Sequence, residues 1–353
     1  MNSMDHIRLW GPINDYSGGT GVVMADRQIK RAMDKGSISF DDSRGNGTAV
    51  ITCKSNGKWF VINGGWDNDN VHTCMLGAIC GDIAGSIYEH RNIKHKLPQD
   101  ALIHKYATFT DDTVMTCAVA DGLRKGLANL PVQWLSAPNA ESVLTTSVQE
   151  QLLLYGRRYP HVGYGSSFHN WLTSQNPRPY NSWGNGSAMR ASYAGWVAKT
   201  LEEAETLGEI SAKVTHNHPE GIKGAVVVAG CIFLLRNGAD KDEICGYVCQ
   251  HYDMDFSLDE IRSTYFFDVS CAGSVPQAIE AFLEGDSFCD VIANAISIGG
   301  DSDTIAAIAG SIAEVIYPIP QDIRVEIIDR LDNCLLDSIR DAVDFVLQRL
   351  QYR

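Results

Sequence analysis

The chain has 353 residues, of which 44% are hydrophobic and 20% are charged, so it can bury a large core as one large domain or two ordinary ones. Its formal net charge of −14 argues against a nucleic-acid-binding protein, because duplex binding normally needs a basic surface that displaces counterions. An acidic pocket can still bind a pyrophosphate, provided that bound metal cations invert its local charge.

Three features bear on where the protein works. The first residues, MNSMDHIRLWGPIND, lack a basic segment followed by an apolar one, so we expect no secretory signal and a cytoplasmic protein. The longest apolar run, Ala225 to Leu235, is about half of the ~20 residues that a membrane span needs, and it predicts a buried helix and no membrane association. The ten cysteines form no Cys-x-x-Cys pair, which favours reduced thiols and disfavours a zinc site.

The N-terminal part of the chain is rich in Gly, Asn, Asp and Ser and differs in composition from the rest. Within it, Thr48 to Lys54 and Lys58 to Asn63 are β-branched and aromatic runs, joined by the short turn Ser55-Asn56-Gly57. This pattern predicts a β-hairpin. Upstream, Met1 to Gly47 has little apolar periodicity and predicts an irregular arm with one short helix near Ala25 to Lys35.

From Val71 onward the apolar residues follow a helical spacing. We therefore expect an all-α domain over residues 71–353, preceded by an N-terminal extension over residues 1–70 that contains the hairpin. Gly, Pro and Asn mark the ends of the predicted helices. These helices are Cys74–Tyr88, Asp112–Leu127, Ala140–Tyr155, Ser187–Lys199, Thr200–Val214, Pro219–Arg236, Asp240–His251, Val275–Leu283, Ser287–Ser297, Thr304–Ile316 and Gln321–Gln351, the last with a break near Leu335.

Two acidic clusters, far apart in the chain, have nearly the same form. The first is Thr110-Asp111-Asp112-Thr113 and the second is Asp301-Ser302-Asp303-Thr304, and each joins a loop to an apolar helix. Helix capping explains a single Asp or Thr at such a place. Each cluster, however, supplies two carboxylates and two hydroxyls, and convergent hard oxygen donors are what Mg²⁺ or Mn²⁺ selects. We therefore predict a divalent metal site built from both clusters.

These clusters, together with three further segments in the same order, resemble the ADP-ribosylglycohydrolase family. Gly81 to Glu89 is similar to the family signature Gly-Asp-x-x-Gly-x-x-x-Glu, and the other two segments are Gly184 to Arg190 and Thr215 to Pro219. The resemblance extends from Cys74 to Pro318. It implies a compact all-α fold and an enzyme that hydrolyses the glycosidic bond between ADP-ribose and a modified protein.

The resemblance also implies a role for each matching residue. A centre of two Mg²⁺ (or Mn²⁺) ions would be held by Thr110, Asp111, Asp112, Asp301, Asp303 and Thr304. The catalytic residues would be Glu89, beside the ribose, with Asp111 and Asp303. The substrate-binding residues would be Asn185, Gly186, Ser187, Met189 and His216. Either Glu89 or a metal-bound Asp would take the proton of the attacking water.

Several residues keep two interpretations. Asp82 either supports the metal ligands or, as we favour, is a buried acceptor that holds the loop before Asp111. The aromatic residues Tyr164, Phe168 and Trp171 either stack on adenine or, as is more frequent at helical spacing, belong to the core. The segment Cys271 to Pro276 resembles a family loop beside the nucleotide, but an ordinary capped helix start also explains it. His218 has no assigned role.

The expected function is removal of ADP-ribose from a protein, with an arginine linkage favoured. Some bacterial members of the family resemble immunity proteins against ADP-ribosyltransferase toxins, so the arm Met1 to Asn70 is a candidate for binding such a toxin. Its alternative role is to cover the helical domain. Two other functions stay open: a different metal-dependent nucleotide hydrolase, and an immunity or binding protein that acts mainly by contact through the arm. A di-iron bundle is disfavoured, because Glu-x-x-His pairs are missing from the expected places.

Overall fold

The computed structural model describes the helical part of the chain over residues 74–98 and 101–351, together with the backbone of three strands nearer the N-terminus. The helix predicted near Ala25 to Lys35 and the turn predicted at Ser55 to Gly57 lie outside the described residues. The outcome of those two predictions therefore stays open.

The three strands are β1 (Ile38–Asp41), β2 (Thr48–Cys53) and β3 (Trp59–Asn63). They form an antiparallel sheet in the order β1-β2-β3. β2 and β3 fall within the two segments of the predicted hairpin. β1 lies in the arm that was predicted to be irregular. Its four residues, ISFD, alternate apolar and polar over too short a run to be recognised from sequence.

In residues 74–98 and 101–351 the elements are α-helices and two 3₁₀ turns, at Trp134–Ser136 and Asn185–Ser187. In chain order the helices are α1 (Leu76–Gly85), α2 (Asp111–Ala128), α3 (Ala140–Arg158), α4 (Ser166–Thr173), α5 (Ser192–Val197), α6 (Leu201–Lys213), α7 (Pro219–Arg236), α8 (Lys241–Val248), α9 (Leu258–Arg262), α10 (Cys271–Glu284), α11 (Phe288–Ser297), α12 (Ser302–Ala313), α13 (Gln321–Ile328) and α14 (Asn333–Gln351). The prediction of an all-α fold is confirmed for residues 74–98 and 101–351.

Side-chain caps explain where some helices differ from their predicted bounds. α10 begins at Cys271, before the predicted Val275, because the Ser270 hydroxyl accepts a hydrogen bond of 2.9 Å from the N–H of Gly273. Pro276 therefore lies inside the helix. The predicted break near Leu335 lies earlier, between α13 and α14, where Asp332 accepts from the N–H groups of Cys334 and Leu335. The short helices α4 and α9 were not predicted.

α1 and α12 pack against each other at backbone distance. Every residue of α1 is buried, and a Cβ added at Gly77 or Gly81 would collide with the carbonyl oxygens of Gly310 or Ala306, respectively. Glycine is the residue that permits this approach, since it has no Cβ. The contact brings the C-terminus of α1 to the N-terminus of α12, where the second acidic cluster begins.

The apolar run Ala225 to Leu235 forms part of α7 and is mostly buried, as predicted. Among the described residues, no helix is long and apolar enough to cross a membrane. The cysteines of the helical domain are free thiols.

Candidate active site

The first acidic cluster is held in place by a carboxylate from another helix. Asp82, on α1, is fully buried. Its oxygens accept hydrogen bonds from the backbone N–H groups of Thr110 (2.9 Å) and Thr113 (3.0 Å), and from the hydroxyls of Thr110 (2.7 Å) and Thr113 (2.5 Å). Asp82 therefore holds the loop before Asp111, which is the role favoured from the sequence.

Three carboxylates converge at the N-terminus of α12. Glu89, Asp301 and Asp303 each place one oxygen within 4.8 Å of the other two. The two aspartates are buried, whereas Glu89, in the turn that follows α1, is partly exposed. From the first acidic cluster, Asp112 accepts a hydrogen bond from Thr304, the residue that follows Asp303. The carboxylates of Glu89, Asp111, Asp112, Asp301 and Asp303 are together called the acidic site below.

Asp112 has one paired and one unpaired oxygen. Its Oδ2 accepts a hydrogen bond of 3.2 Å from the Thr304 hydroxyl. Its Oδ1 is buried and has no hydrogen-bond partner among the described residues. An unpaired, buried carboxylate oxygen is costly, so this atom is a candidate ligand for a cation. Asp111, at the start of α2, lies beside the loop at Gly163, where an added Cβ would be 3.4 Å from Asp111 Oδ1.

Burial and mutual repulsion raise the pKa values of these carboxyl groups. Burial, followed by the negative charge of Asp82, raises the pKa of Asp111 to about 7. Burial and then neighbouring carboxylates raise the pKa values of Asp112 and Asp303 well above the ordinary range. Burial also raises the pKa of Glu89, although His90 acts in the opposite direction. A divalent cation would relieve this repulsion, since it favours the ionised forms.

Asn92 and Lys94, which the sequence did not single out, hold the loop before Asp301. In this loop Gly299 and Gly300 have φ angles of +69° and +73°, which favour glycine. The Asn92 side chain accepts a hydrogen bond of 3.2 Å from the N–H of Gly300, and the Lys94 ammonium donates to the carbonyl of Ile298 at 2.5 Å. Neither residue belongs to a recognisable motif, so no sequence signal indicated them.

The Gly-Asn-Gly segment lies directly against the second acidic cluster. The Asn185 amide donates hydrogen bonds to Asp301 Oδ2 (2.7 Å) and to the Ser274 hydroxyl (2.9 Å). Its backbone N–H donates to the carbonyl of Val269 (2.7 Å). The structure thus connects Asn185 to the loop before α10 as well as to the acidic site.

The other proposed substrate-binding residues differ in how open they are. Ser187 is fully buried, and its hydroxyl donates to the carbonyl of Gly221 at 2.6 Å. Met189 is also buried, and its carbonyl accepts from the Thr116 hydroxyl at 3.3 Å. Gly186 is partly exposed, and His216 Nε2 would lie 3.2 Å from a Cβ added there. Of these residues only Gly186 is partly open to solvent, and the buried His216 ring lies beside it.

The residues left with two interpretations take mainly structural positions. Phe168 and Trp171 are buried in the hydrophobic core. Tyr164 is partly buried, and burial, followed by the negative charge of Asp111, raises the pKa of its phenol. His218 caps α7, because its Nδ1 accepts from the N–H of Glu220 at 3.1 Å.

The donor set of the acidic site fits a hard divalent cation. Its donors are carboxylate oxygens, with the Thr304 hydroxyl beside them. Asp112 Oδ1 is buried without a hydrogen-bond partner among the described residues, and the oxygens of Glu89, Asp301 and Asp303 lie within 4.8 Å of one another. Hard cations such as Mg²⁺ and Mn²⁺ prefer these donors.

The chain is similar to known proteins over most of its length. The family model for ADP-ribosylglycohydrolase matches residues 67–351. ADP-ribosyl-[dinitrogen reductase] glycohydrolase of Rhodospirillum rubrum is 25% identical over 305 residues, covering 79% of this chain and 96% of the relative. ADP-ribosylhydrolase ARH3 of Mus musculus is 24% identical over 323 residues, covering 70% and 84%. ADP-ribosylarginine hydrolase Tri1 of Pseudomonas putida (strain GB-1) is 24% identical over 273 residues, covering 71% of each chain.

A solved structure described as "ADP-ribosylglycohydrolase-related protein complex" shares the fold. It superposes with a TM-score of 0.54 at 20% sequence identity, covering 78% of this chain and 98% of the other. The chain therefore belongs to the ADP-ribosylglycohydrolase family and is an enzyme of the glycosidic-bond hydrolase class. This confirms the family and the enzyme class that the sequence motifs predicted.

Proposed function

We propose that this enzyme releases ADP-ribose from arginine side chains of modified proteins, with two divalent cations, Mg²⁺ or Mn²⁺, bound at the acidic site. The observation that carries the proposal is the convergence of both acidic clusters with Glu89 in one partly open site. A glycosidase needs carboxylates on the reacting face of the sugar. The arginine linkage rests on the name of one relative, ADP-ribosylarginine hydrolase Tri1.

The cations would be held by oxygen atoms of the two acidic clusters, namely those of Thr110, Asp111, Asp112, Asp301, Asp303 and Thr304. Bound there, they would supply positive charge that orients the ribose hydroxyls and makes water a better nucleophile at neutral pH. Asn185 orients Asp301 through its amide, since that amide donates to Asp301 Oδ2. Asp82 orients Thr110 and hence the start of α2.

Glu89 is proposed as the general base. It is the partly exposed member of the acidic site, so its carboxylate can reach both water and substrate. The bond between the anomeric carbon and the guanidinium nitrogen breaks, and the water oxygen bonds to that carbon. Glu89 takes one water proton, while the leaving group departs as neutral guanidine and then takes a proton from solvent. Burial raises the pKa of Glu89, which makes its carboxylate a stronger base.

The ADP moiety is proposed to lie over the turn Asn185–Ser187. Gly186 presents its backbone without a side chain, and the His216 ring edge adjoins it. Backbone N–H groups at such a turn can bind diphosphate oxygens. Ser187 and Met189 would act through the turn backbone, because their side chains are buried.

The test uses the full chain with ADP-ribosylated arginine and ADP-ribosylated serine proteins, with and without chelator. We expect ADP-ribose release from the arginine substrate, loss after chelation, and recovery with Mg²⁺ or Mn²⁺ but not with Zn²⁺. Release from serine alone would contradict the linkage, and activity that survives chelation would contradict the cations. No release from either substrate would contradict the hydrolase proposal.

Variants separate the base from the cation ligands. Glu89→Gln should lower kcat by about 10²- to 10⁴-fold, the usual contribution of a general base, while ADP-ribose still binds. Asp303→Ala should abolish hydrolysis with the helical circular dichroism unchanged. Glu150→Gln, an exposed position on α3, is the matched control and should keep full activity.

The N-terminal extension, residues 1–70, is proposed to bind a protein partner, with an ADP-ribosyltransferase toxin as the candidate. The family match begins only at residue 67, which supports treating the extension as separate from the hydrolase domain. Since β1 pairs with β2, a deletion that spares the sheet should remove residues 1–37 only. The proposal requires that this truncated chain keep its hydrolase activity and lose affinity for the transferase, and it fails if both are unchanged.

A further inference from the structure

A buried chain of hydrogen bonds ends on His216. The Arg190 guanidinium is almost fully buried, and its Nη2 donates a hydrogen bond of 2.7 Å to the Thr215 hydroxyl. The same hydroxyl lies 2.6 Å from Nδ1 of His216. No carboxylate forms an ion pair with Arg190 among the described residues, which is unusual for a buried guanidinium. Its strongest contact is therefore the one that leads to the histidine.

The chemistry of the donors fixes the direction of these bonds. A guanidinium has only donors, so the Thr215 oxygen accepts from Arg190. The Thr215 hydroxyl proton therefore stays available for a second hydrogen bond, in which Thr215 is the donor. Accepting from a cation makes that hydroxyl a stronger donor and a weaker acceptor for a second proton. The short bond to His216 is therefore best made as O–H from Thr215 to an unprotonated Nδ1. The ring proton then lies on Nε2.

The charge of Arg190 and burial both keep His216 neutral. Burial first, and then the nearby guanidinium, hold the pKa of His216 well below its usual range. Burial lowers the pKa of Arg190 only to about 10, so that group stays charged at neutral pH. His216 accordingly has one ring proton and can donate at one nitrogen only.

Nε2 faces the open part of the Gly-Asn-Gly segment. It would lie 3.2 Å from a Cβ at Gly186 and 3.6 Å from one at Gly184, so these glycines keep the ring edge clear of side chains. Among the described residues Nε2 forms no hydrogen bond, and His216 as a whole is buried. A ligand oxygen over this turn would meet an N–H donor held at a fixed angle.

We propose that Arg190 and Thr215 are positioning residues that hold His216 as its neutral Nε2–H tautomer, so that the ring donates a hydrogen bond to an oxygen acceptor of the ligand over Asn185–Ser187. The identity of that ligand as ADP-ribose rests on the proposed function. In the competing arrangement the Thr215 hydroxyl donates its hydrogen bond to the phenol oxygen of Tyr180, with which it interacts, and the histidine proton lies on Nδ1. In that case Nε2 is an acceptor and repels phosphate oxygens.

The experiment is nitrogen NMR of the full chain with ¹⁵N-labelled histidine at neutral pH, without substrate. Its signals are assigned by their loss in His216→Asn. We expect the wild type to show a protonated Nε2 and an unprotonated Nδ1. Thr215→Val should give a mixture of tautomers, and Thr215→Ser, which keeps the hydroxyl, should restore the wild-type spectrum. A protonated Nδ1 in the wild type overturns the proposal, and that result stands even if Thr215→Val fails to fold.

Binding and kinetics then test the consequence for the ligand. Thr215→Val should weaken ADP-ribose binding and raise KM by roughly 2- to 10-fold, the value of one hydrogen bond, with kcat little changed and Thr215→Ser close to wild type. Equal loss in Thr215→Ser and Thr215→Val would show a packing role and overturn the positioning role. If the wild type neither hydrolyses nor binds ADP-ribose while the spectrum shows Nε2–H, the proposed function fails and the tautomer assignment stands.

Discussion

The Thr304 hydroxyl donates a hydrogen bond of 3.2 Å to Asp112 Oδ2, which joins the first turns of α2 and α12 across 192 residues of chain. Each turn contains one of the two acidic clusters found in the sequence. The bond uses one oxygen of Asp112, and the other, Oδ1, is buried without a hydrogen-bond partner in the described part of the chain. The two clusters are thus parts of one site, and the atom that lacks a partner lies where they meet.

Thr304→Val is expected to weaken cation binding. The variant keeps the shape of the side chain but removes both a proposed cation ligand and the donor to Asp112. We expect a loss of about 10- to 100-fold in Mn²⁺ affinity, as is common when a residue that orients metal ligands is removed. Calorimetric titration of the metal-free chain measures it. Thr304→Ser keeps the hydroxyl and should lie within a few-fold of wild type, so equal losses in both variants would argue against this role.

Cation binding should weaken as the pH falls through 7. In the metal-free fold the pKa of Asp111 is raised to about 7, so at pH 6 this carboxyl is mostly protonated and a cation must displace the proton. From Asp111 alone, the apparent affinity for Mn²⁺ should be about 10-fold weaker at pH 6 than at pH 8. The other raised carboxyls act in the same direction.

The same shift affects stability without metal. Because the folded pKa is above the ordinary value of 3.8, Asp111 contributes stability at low pH that is lost as the pH rises through 7. Added Mn²⁺ should therefore raise the melting temperature more at pH 8 than at pH 6. Asp111→Asn should reduce this pH dependence, and a melting shift that is equal at both pH values would contradict the assignment.

Local sequence signals predicted most of the helical domain. Periodic apolar residues and capping side chains such as Thr110 and Ser287 act within one turn, so they can be recognised without the fold. The two acidic clusters were recognised because they repeat a motif. The role of Asp82 followed from a charge within a helix of small residues, where an acceptor function is the economical explanation.

The remaining features depend on contacts between distant parts of the chain. Lys94 reaches Ile298 across 204 residues, and nothing in its neighbourhood predicts that. The Ser187 side chain points inward because its hydroxyl donates to the Gly221 carbonyl, which is brought near only by the packing of the folded chain. The short helix α9 depends on a capping box at Ser257 in a segment with little apolar periodicity. Such residues could be identified only from the folded structure.

Asp82→Asn should destabilise the fold and misplace the first acidic cluster. All the groups around the Asp82 carboxylate are donors, from Thr110 and Thr113, and an amide would turn its own N–H groups toward some of them. The loss should be about 1–3 kcal/mol, the usual cost of leaving a buried donor unpaired. Removing the Asp82 charge also relieves repulsion on Asp111, but we expect the unpaired donors to dominate. Urea unfolding measures the difference, and an unchanged or higher midpoint would contradict it.

Gly85→Ala should damage the acidic site, whereas Gly77→Ala should affect stability alone. Both glycines lie on the face of α1 that packs against α12, and both lack room for a Cβ. At Gly85 the added methyl group would collide with the backbone of Asp303, but at Gly77 it would collide with the carbonyl of Gly310, further along α12. Overpacking of this kind costs about 1–3 kcal/mol, so both variants should melt at lower temperatures than wild type.

Only Gly85→Ala displaces Asp303, so this variant should also lower Mn²⁺ affinity and kcat, by roughly 10-fold or more. Gly77→Ala should keep both near wild type below its melting temperature. Thermal melting, Mn²⁺ titration and ADP-ribose release on the same preparations decide the matter, and equal effects of the two variants on Mn²⁺ affinity would show that the close approach of α1 to α12 does not set the position of Asp303.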